Sequence, residues 1–116
     1  PNNSHKGNFG HGLIIAGSRG KMGACVLALR AALKSGIGLL TCYTAKKGEI
    51  IVQTSVPEAM TIVDNEMDAI SSFPPLDSYS VVGIGPGIGT LNITMNMLEN
   101  FFKNVNEGDE IKLYFD

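Results

Sequence analysis

The chain alternates short apolar runs with a longer stretch in which apolar residues recur every three or four positions. Residues 12–16 form a continuous apolar run that a glycine follows, which predicts a short buried strand. Over residues 22–33 the apolar side chains fall on one face of a helix, and Gly36 is placed to end that helix. Residues 37–43 predict a second strand, which a polar turn at 46–48 follows.

The middle of the chain is less regular, and its pattern predicts short elements. The apolar run at residues 50–53 predicts a third strand. Proline is tolerated in the first turn of a helix, so residues 57–60 predict the start of a short one. One or two helical turns are expected within residues 64–72, and the Phe-Pro-Pro sequence at 73–75 ends them.

The last third of the chain predicts a strand at 79–84, a helix at 91–102 with Thr90 as its N-cap, and a final strand at 111–115. Apolar strands that alternate with helices predict an α/β fold, a three-layer parallel sheet covered on both faces. At 116 residues the chain forms one domain at most. Because it stops at the strand edge where such sheets bind ligands, we expect the chain to be a fragment of a larger domain.

Two glycine-rich turns each connect a predicted strand to a predicted helix, the first at residues 17–23 and the second at 83–89. Glycine lets a ligand approach the main chain closely, and N–H groups at a helix start attract anions. The glycine spacing fits neither the dinucleotide fingerprint nor the P-loop. The two turns therefore predict either a floor for an anionic, nucleotide-like ligand or tight strand-to-helix corners with no ligand.

Composition narrows the class of partner. The chain has 9 Lys and Arg against 11 Asp and Glu, a net charge of −2 and no basic run, which argues against binding to nucleic acid. No apolar stretch approaches the roughly 20 residues of a membrane span. Cys25 and Cys42 lie within apolar patterns, so we expect buried free thiols and a reducing compartment, most simply the cytoplasm.

Few polar side chains form a pattern typical of catalysis. His5 and Lys6 belong either to a polar tail or to a basic pair that folds over an anion. His11 is more simply explained as the cap of a strand than as a metal ligand. We interpret the acidic cluster as a solvated face; its members are Asp64, Glu66 and Asp68. With no Ser/His/Asp set, metal-ligand cluster or carboxylate pair, the sequence predicts no catalytic residue and no metal ligand.

A set of short segments then points to one family. In chain order they are SHKG at 4–7, LIIAGS at 13–18, GKMGA at 20–24, AALKSGIGL at 31–39, VPEAM at 56–60 and GIGPGIG at 83–89. Together they resemble the NAD(P)H-hydrate dehydratase family of the ribokinase-like superfamily, which also forms the C-terminal domain of bifunctional NAD(P)H-hydrate repair enzymes. The resemblance covers almost the whole chain. It implies a ribokinase-like, Rossmann-like partial domain, in which residues 1–116 are the N-terminal part of an NAD(P)H-hydrate dehydratase domain.

The resemblance implies a function as well. Such enzymes repair hydrated NADH and NADPH with Mg²⁺ and ADP or ATP, by phosphorylating the ring hydroxyl and then eliminating phosphate. It places the substrate against Ala24 and Gly87, with Gly85 and Gly89 shaping the second turn. The family's nucleotide site and catalytic aspartate lie in later motifs that this chain does not contain, so we expect the 116 residues alone to be inactive.

Two other functions remain open at this point. One is a different ribokinase-like kinase that acts on a small molecule, and the other is a non-enzymatic module that binds a nucleotide or a protein partner. A half-sheet that ends on an apolar strand leaves unpaired edge groups, so we also expect a homo-oligomer.

Overall fold

The computed structural model describes residues 10–85 and the strand at 112–115, and the structural statements that follow concern these residues. A five-stranded sheet forms the centre, with strand order β3-β2-β1-β4-β5, and every adjacent pair is parallel. The elements are β1 His11–Ile15, α1 Met22–Lys34, β2 Leu39–Thr44, a 3-10 turn Lys46–Gly48, α2 Glu49–Ser55, β3 Met60–Val63, β4 Val81–Ile84 and β5 Lys112–Phe115.

Helices α1 and α2 cover one face of the sheet. Cys25 and Leu29 of α1 and Val52 of α2 are completely buried there. They pack with Ala16 and Cys42, which come from the end of β1 and from β2. Because alternate residues of a strand point to opposite faces, this layer takes only one half of the apolar side chains of each strand.

The segment between β3 and β4 covers the opposite face without forming a helix or a strand. Ile70 and Leu76 of this segment pack against Leu13, Ile15 and Val82 of the sheet. The described residues thus form three layers, with the parallel sheet between the two helices and the irregular segment. This arrangement confirms the predicted fold class. The second outer layer is irregular chain in the part that the structure describes.

Most predicted elements are confirmed. The structure contains four of the predicted strands, which are β1, β2, β4 and β5. Helix α1 ends where expected: Ser35 is its C-cap, and Gly36 adopts φ +93°, a conformation that glycine takes readily. The predicted helix at 91–102 and its cap Thr90 lie outside the described residues.

Three predictions in the middle of the chain are wrong. Residues 50–53 belong to α2, where Val52 is buried and Ile50 is 73% exposed, because a short apolar run cannot distinguish a strand from a helix. Residues 57–60 form a turn that leads into β3 instead of starting a helix. Residues 64–72 contain no helical turn, because side-chain hydrogen bonds described below hold their backbone.

The two cysteines join α1 to β2 inside the core. Both thiols are free and buried, as predicted, and their Sγ atoms are 3.7 Å apart. The Cys25 thiol also points to the Ala16 carbonyl at 3.7 Å. The contact with Cys25, together with burial, raises the pKa of the Cys42 thiol, which keeps that group protonated and unreactive.

We therefore expect neither thiol to react with a disulfide reagent such as DTNB within minutes in the native chain, and both to react once guanidinium unfolds it. The physical reason is that the thiolate is the reactive form and neither sulfur is accessible to solvent. A Ser78→Cys variant, which places a thiol at an exposed position, is the control and should react at once. Rapid native reaction of Cys25 or Cys42 would contradict the packing described here.

Candidate functional site

The strand order places the first glycine turn beside the start of the second, residues 83–85. The chain runs from β1 outward to β2 and β3, then returns to β4 on the other side of β1. Ile15 pairs with Ile84 at the carboxyl ends of these strands, and the Gly85 N–H donates to the Ile15 carbonyl at 3.0 Å. In open α/β sheets, ligands bind outside the strand ends where the order reverses in this way.

The predicted substrate residues are placed as follows. Ala24 lies exposed in the first turn of α1, directly after the first glycine turn. Gly85 follows β4 beside the end of β1, while Gly87 and Gly89 lie outside the described residues. A Cβ atom built on Gly23 meets nothing within 4 Å, so a ligand can reach the main chain of this helix start. Their contact with a substrate stays a prediction.

A cavity of about 320 Å³ opens beside the first glycine turn. It lies between that turn and the turn after β2, and its lining includes Ser18, Arg19, Lys47, Met67 and Asp68. Three separate loops therefore meet here, at the carboxyl edge of the sheet. The sequence marks the first glycine turn, the polar turn at 46–48 and Asp68 separately, but it does not show that they meet, because they lie up to fifty residues apart along the chain.

Tight packing below the cavity requires glycine at two positions. Gly17 has φ +98°, and a Cβ atom there would lie 2.5 Å from Thr44 Oγ1 and 2.8 Å from Met22 Sδ. A Cβ atom on Gly48 would lie 2.7 Å from the same Thr44 oxygen. Gly20 also has a positive φ, +81°, but faces open space. The first turn thus combines a packed base at Gly17 with an open edge at Gly20.

Backbone hydrogen bonds tie residues 66–68 to the two turns that flank the cavity. The Arg19 N–H donates to the Asp68 carbonyl at 2.9 Å. The Lys46 N–H donates to the Glu66 carbonyl at 2.9 Å, and the Lys47 N–H donates to the Met67 carbonyl at 3.0 Å. The wall of the cavity is therefore held by main-chain contacts that do not depend on the identity of its side chains.

A buried carboxylate fixes this wall. Asp64 is only 1% exposed, so its interpretation as part of a solvated face is wrong. It accepts hydrogen bonds from Tyr43 Oη at 2.7 Å and from Ser71 Oγ at 2.6 Å. The Glu66 N–H at 2.9 Å and the Ser72 N–H at 3.0 Å also donate to it. In the sequence, Ser71 and Ser72 are a signal that the Asp64 carboxylate has hydrogen-bond donors within the chain.

These contacts shift the pKa values of both partners. Burial by itself raises the pKa of Asp64, but the bonds from Ser71, Tyr43 and the backbone outweigh it and bring the pKa below its usual value. Burial, and then the bond to Asp64, raises the pKa of Tyr43 to about 12. The pair is thus held as a carboxylate and a neutral phenol across the whole neutral range.

Asp64→Asn is expected to lower the free energy of unfolding by about 2–4 kcal/mol at pH 7, since an amide cannot accept all of these bonds. The stabilisation from Asp64 is present above the unfolded pKa of 3.8 and is lost as pH falls through the lower folded value. Urea unfolding at pH 7 and near pH 2 measures both effects. Asp77→Asn, an exposed control, should change stability little. Equal losses for the two variants would disprove the role of Asp64.

The remaining polar predictions have mixed outcomes. His11 begins β1, as expected, and its Nε2 lies 2.8 Å from Thr41 Oγ1, while burial lowers the pKa of the ring. Glu66 is exposed, and Asp68 forms an ion pair with Lys47 at 3.6 Å. His5 and Lys6 lie outside the described residues. Across residues 10–85, no three His, Cys, Asp or Glu side chains come together as a group that could hold a metal ion.

No helix in the part of the chain that the structure describes is long and apolar enough to cross a membrane. 

Comparison with known sequences identifies relatives. The sequence model of one family, NAD(P)H-hydrate dehydratase, matches residues 12–109. The ADP-dependent (S)-NAD(P)H-hydrate dehydratase of Lactiplantibacillus plantarum is 36% identical over 84% of this chain and 34% of its own length. The protein of the same name from Lactococcus lactis is 34% identical over 96% of this chain and 42% of its own length. The chain thus spans about a third to two-fifths of these relatives.

Solved structures give the same picture. A ribokinase-like superfamily protein from Enterococcus faecalis matches 97% of this chain and 38% of its own, with a TM-score of 0.80 and 27% identity. The ADP/ATP-dependent NAD(P)H-hydrate dehydratase from Bacillus subtilis, co-crystallised with ATP and Mg²⁺, matches 85% of this chain and 35% of its own. Its TM-score is 0.68 and its identity 28%. The ribokinase-like fold is therefore confirmed.

Proposed function

Because this chain belongs to the NAD(P)H-hydrate dehydratase family, we propose that it forms the substrate-binding part of an ADP- or ATP-dependent dehydratase that repairs hydrated NADH and NADPH. The observation that carries this proposal is the adjacency of the first glycine turn and the start of the second at the carboxyl ends of β1 and β4. There, an open helix start and a cavity lie beside the place where such sheets bind nucleotides.

The role of this chain's own residues is to bind and orient the substrate. The first turn of α1 contains no acidic residue, and no side chain caps its N–H groups. These groups and the positive end of the helix dipole favour the negative charge of a dinucleotide. Ala24, with its small side chain, lets the substrate approach the helix, and Gly85, Gly87 and Gly89 form the second contact from the neighbouring turn.

The chemical steps need groups that the described residues do not provide. A bound nucleoside di- or triphosphate with Mg²⁺ would supply the phosphoryl group for the ring hydroxyl. We place that nucleotide, the metal and the catalytic base in the later motifs of the family, which residues 1–116 do not contain. What this part contributes is a fixed position for the nicotinamide hydrate relative to them.

Ala24→Leu is expected to weaken binding of NADPH and NADPH hydrate at least about tenfold, because the larger side chain fills the space over the first turn. Ala31→Leu is the matched control, since Ala31 is also exposed on α1 and lies two turns further along. Isothermal titration of each variant measures the effect. Equal binding by both variants would show that the substrate does not lie against Ala24.

The 116-residue chain alone is expected to bind the dinucleotides but not to convert NADH hydrate when ADP or ATP and Mg²⁺ are added. Absorbance at 340 nm follows the regenerated NADH. The control is the same assay with a longer protein that contains this chain together with the later family motifs. Turnover by the 116 residues would contradict the proposed division of the site.

A thermal-shift series separates this proposal from the two alternatives. Stabilisation by NADPH and its hydrate but not by ADP or ATP supports a substrate-binding part. Stabilisation by a small vitamin-like alcohol instead would support another ribokinase-like kinase. If none of the nucleotides raises the melting temperature, the result would support a non-enzymatic module that binds a protein partner.

We extend the proposal to a cytoplasmic, self-associating protein that binds neither nucleic acid nor a membrane. The buried free thiols support a reducing compartment. Strand β3 lies at an edge of the sheet, and its Met60 and Ile62 are 49% and 39% exposed, which supports self-association.

A further inference from the structure

We propose that the cavity between the first glycine turn and the turn after β2 binds a phosphate group through Ser18, Arg19 and Lys47. Within the proposed function, on which the identity of the whole ligand rests, this is a phosphate of the dinucleotide. The cavity, at about 320 Å³, holds a phosphate group together with part of an attached sugar. Nothing in the family match assigns these three residues a role.

Ser18 lies in the wall of the cavity. The residue is only 5% exposed, and its position among the lining residues places a hydroxyl group at the cavity. A serine hydroxyl can donate a hydrogen bond to a phosphate oxygen.

The lining of the cavity has more positive than negative charges. Arg19 and Lys47, which come from two different turns, are its cations, and Asp68 is its one carboxylate. The Lys47 Nζ is 3.6 Å from Asp68 Oδ1, too far for a hydrogen bond, and Oδ1 is buried without a hydrogen-bond partner in the described residues. Lys47 is thus only loosely paired, and the lining has a net positive charge that favours an anion over a metal ion.

The start of helix α1 lies next to the cavity. The cavity reaches Met22, the first residue of α1, where the N-cap Lys21 makes no capping bond through its side chain. The free N–H groups of that turn add positive potential from the same side as Arg19. Arginine with a hydroxyl and backbone N–H groups is a common arrangement for phosphate, since the guanidinium can donate two parallel bonds.

The test is titration of the 116-residue chain with inorganic pyrophosphate, NAD⁺ and NADP⁺, using isothermal calorimetry at low salt. Arg19→Ala is expected to weaken binding of these probes at least about fivefold, because it removes a charge-assisted contact. The matched control is Lys34→Ala, which removes an exposed cation at the far end of α1 and should leave binding unchanged.

A second variant changes binding in the opposite direction. Asp68→Asn removes the carboxylate from the cavity and frees Lys47, so the same probes should bind about threefold more tightly, and less so at high salt. A general loss of structure cannot produce tighter binding. The backbone bonds of residue 68 to the first turn are kept in this variant.

The probes separate the two possible sources of the phosphate. A loss in Arg19→Ala for NADP⁺ alone assigns the cavity to the 2′-phosphate, and an equal loss for NAD⁺ assigns it to the diphosphate. If pyrophosphate binding depends on Arg19 but neither dinucleotide binds, the phosphate site stands and the proposed function fails. If the dinucleotides bind and neither variant changes their affinity, the proposed function stands and the phosphate site is overturned. The phosphate site is also overturned if none of the probes binds.

Discussion

The structure depends above all on one buried carboxylate. Asp64 follows β3 at the carboxyl edge of the sheet and is almost completely removed from water. A buried charge is costly unless hydrogen bonds surround it, and here hydroxyl and backbone donors do so from β2 and from the segment that follows Asp64. Residues 64–72 form neither a helix nor a strand, so the hydrogen bonds of a regular element do not determine their path. The need to surround this charge with donors determines it instead.

That constraint reaches the candidate site through the main chain. Once Asp64 fixes the segment after it, the carbonyl groups of residues 66–68 accept bonds from the turns after β1 and β2. The cavity beside the first glycine turn exists because these three loops are joined. A structural group buried in the fold therefore determines the shape of a surface that binds a ligand in our proposal, although Asp64 itself does not line the cavity.

The glycines of the first turn have different physical roles within this arrangement. Gly17 is required by packing, because Thr44 and Met22 leave no room for a side chain. Gly20 and Gly23 have open space around them, and of these two Gly20 has a positive φ that favours glycine. In our proposal a dinucleotide substrate approaches the main chain at this open edge. The packed and open glycines together explain why the turn is both rigid at its base and accessible at its edge.

The sequence by itself determined the parallel α/β fold, the helix α1, the burial of the two cysteines and the pair of glycine turns. These follow from local patterns: continuous apolar runs, helical spacing and glycine at a helix end. Tertiary structure alone decided that residues 50–53 form a helix and that Asp64 is buried, because both depend on which neighbours cover them. It also decided the cavity, since Arg19, Lys47 and Asp68 meet only when the strand order brings distant loops to one edge of the sheet.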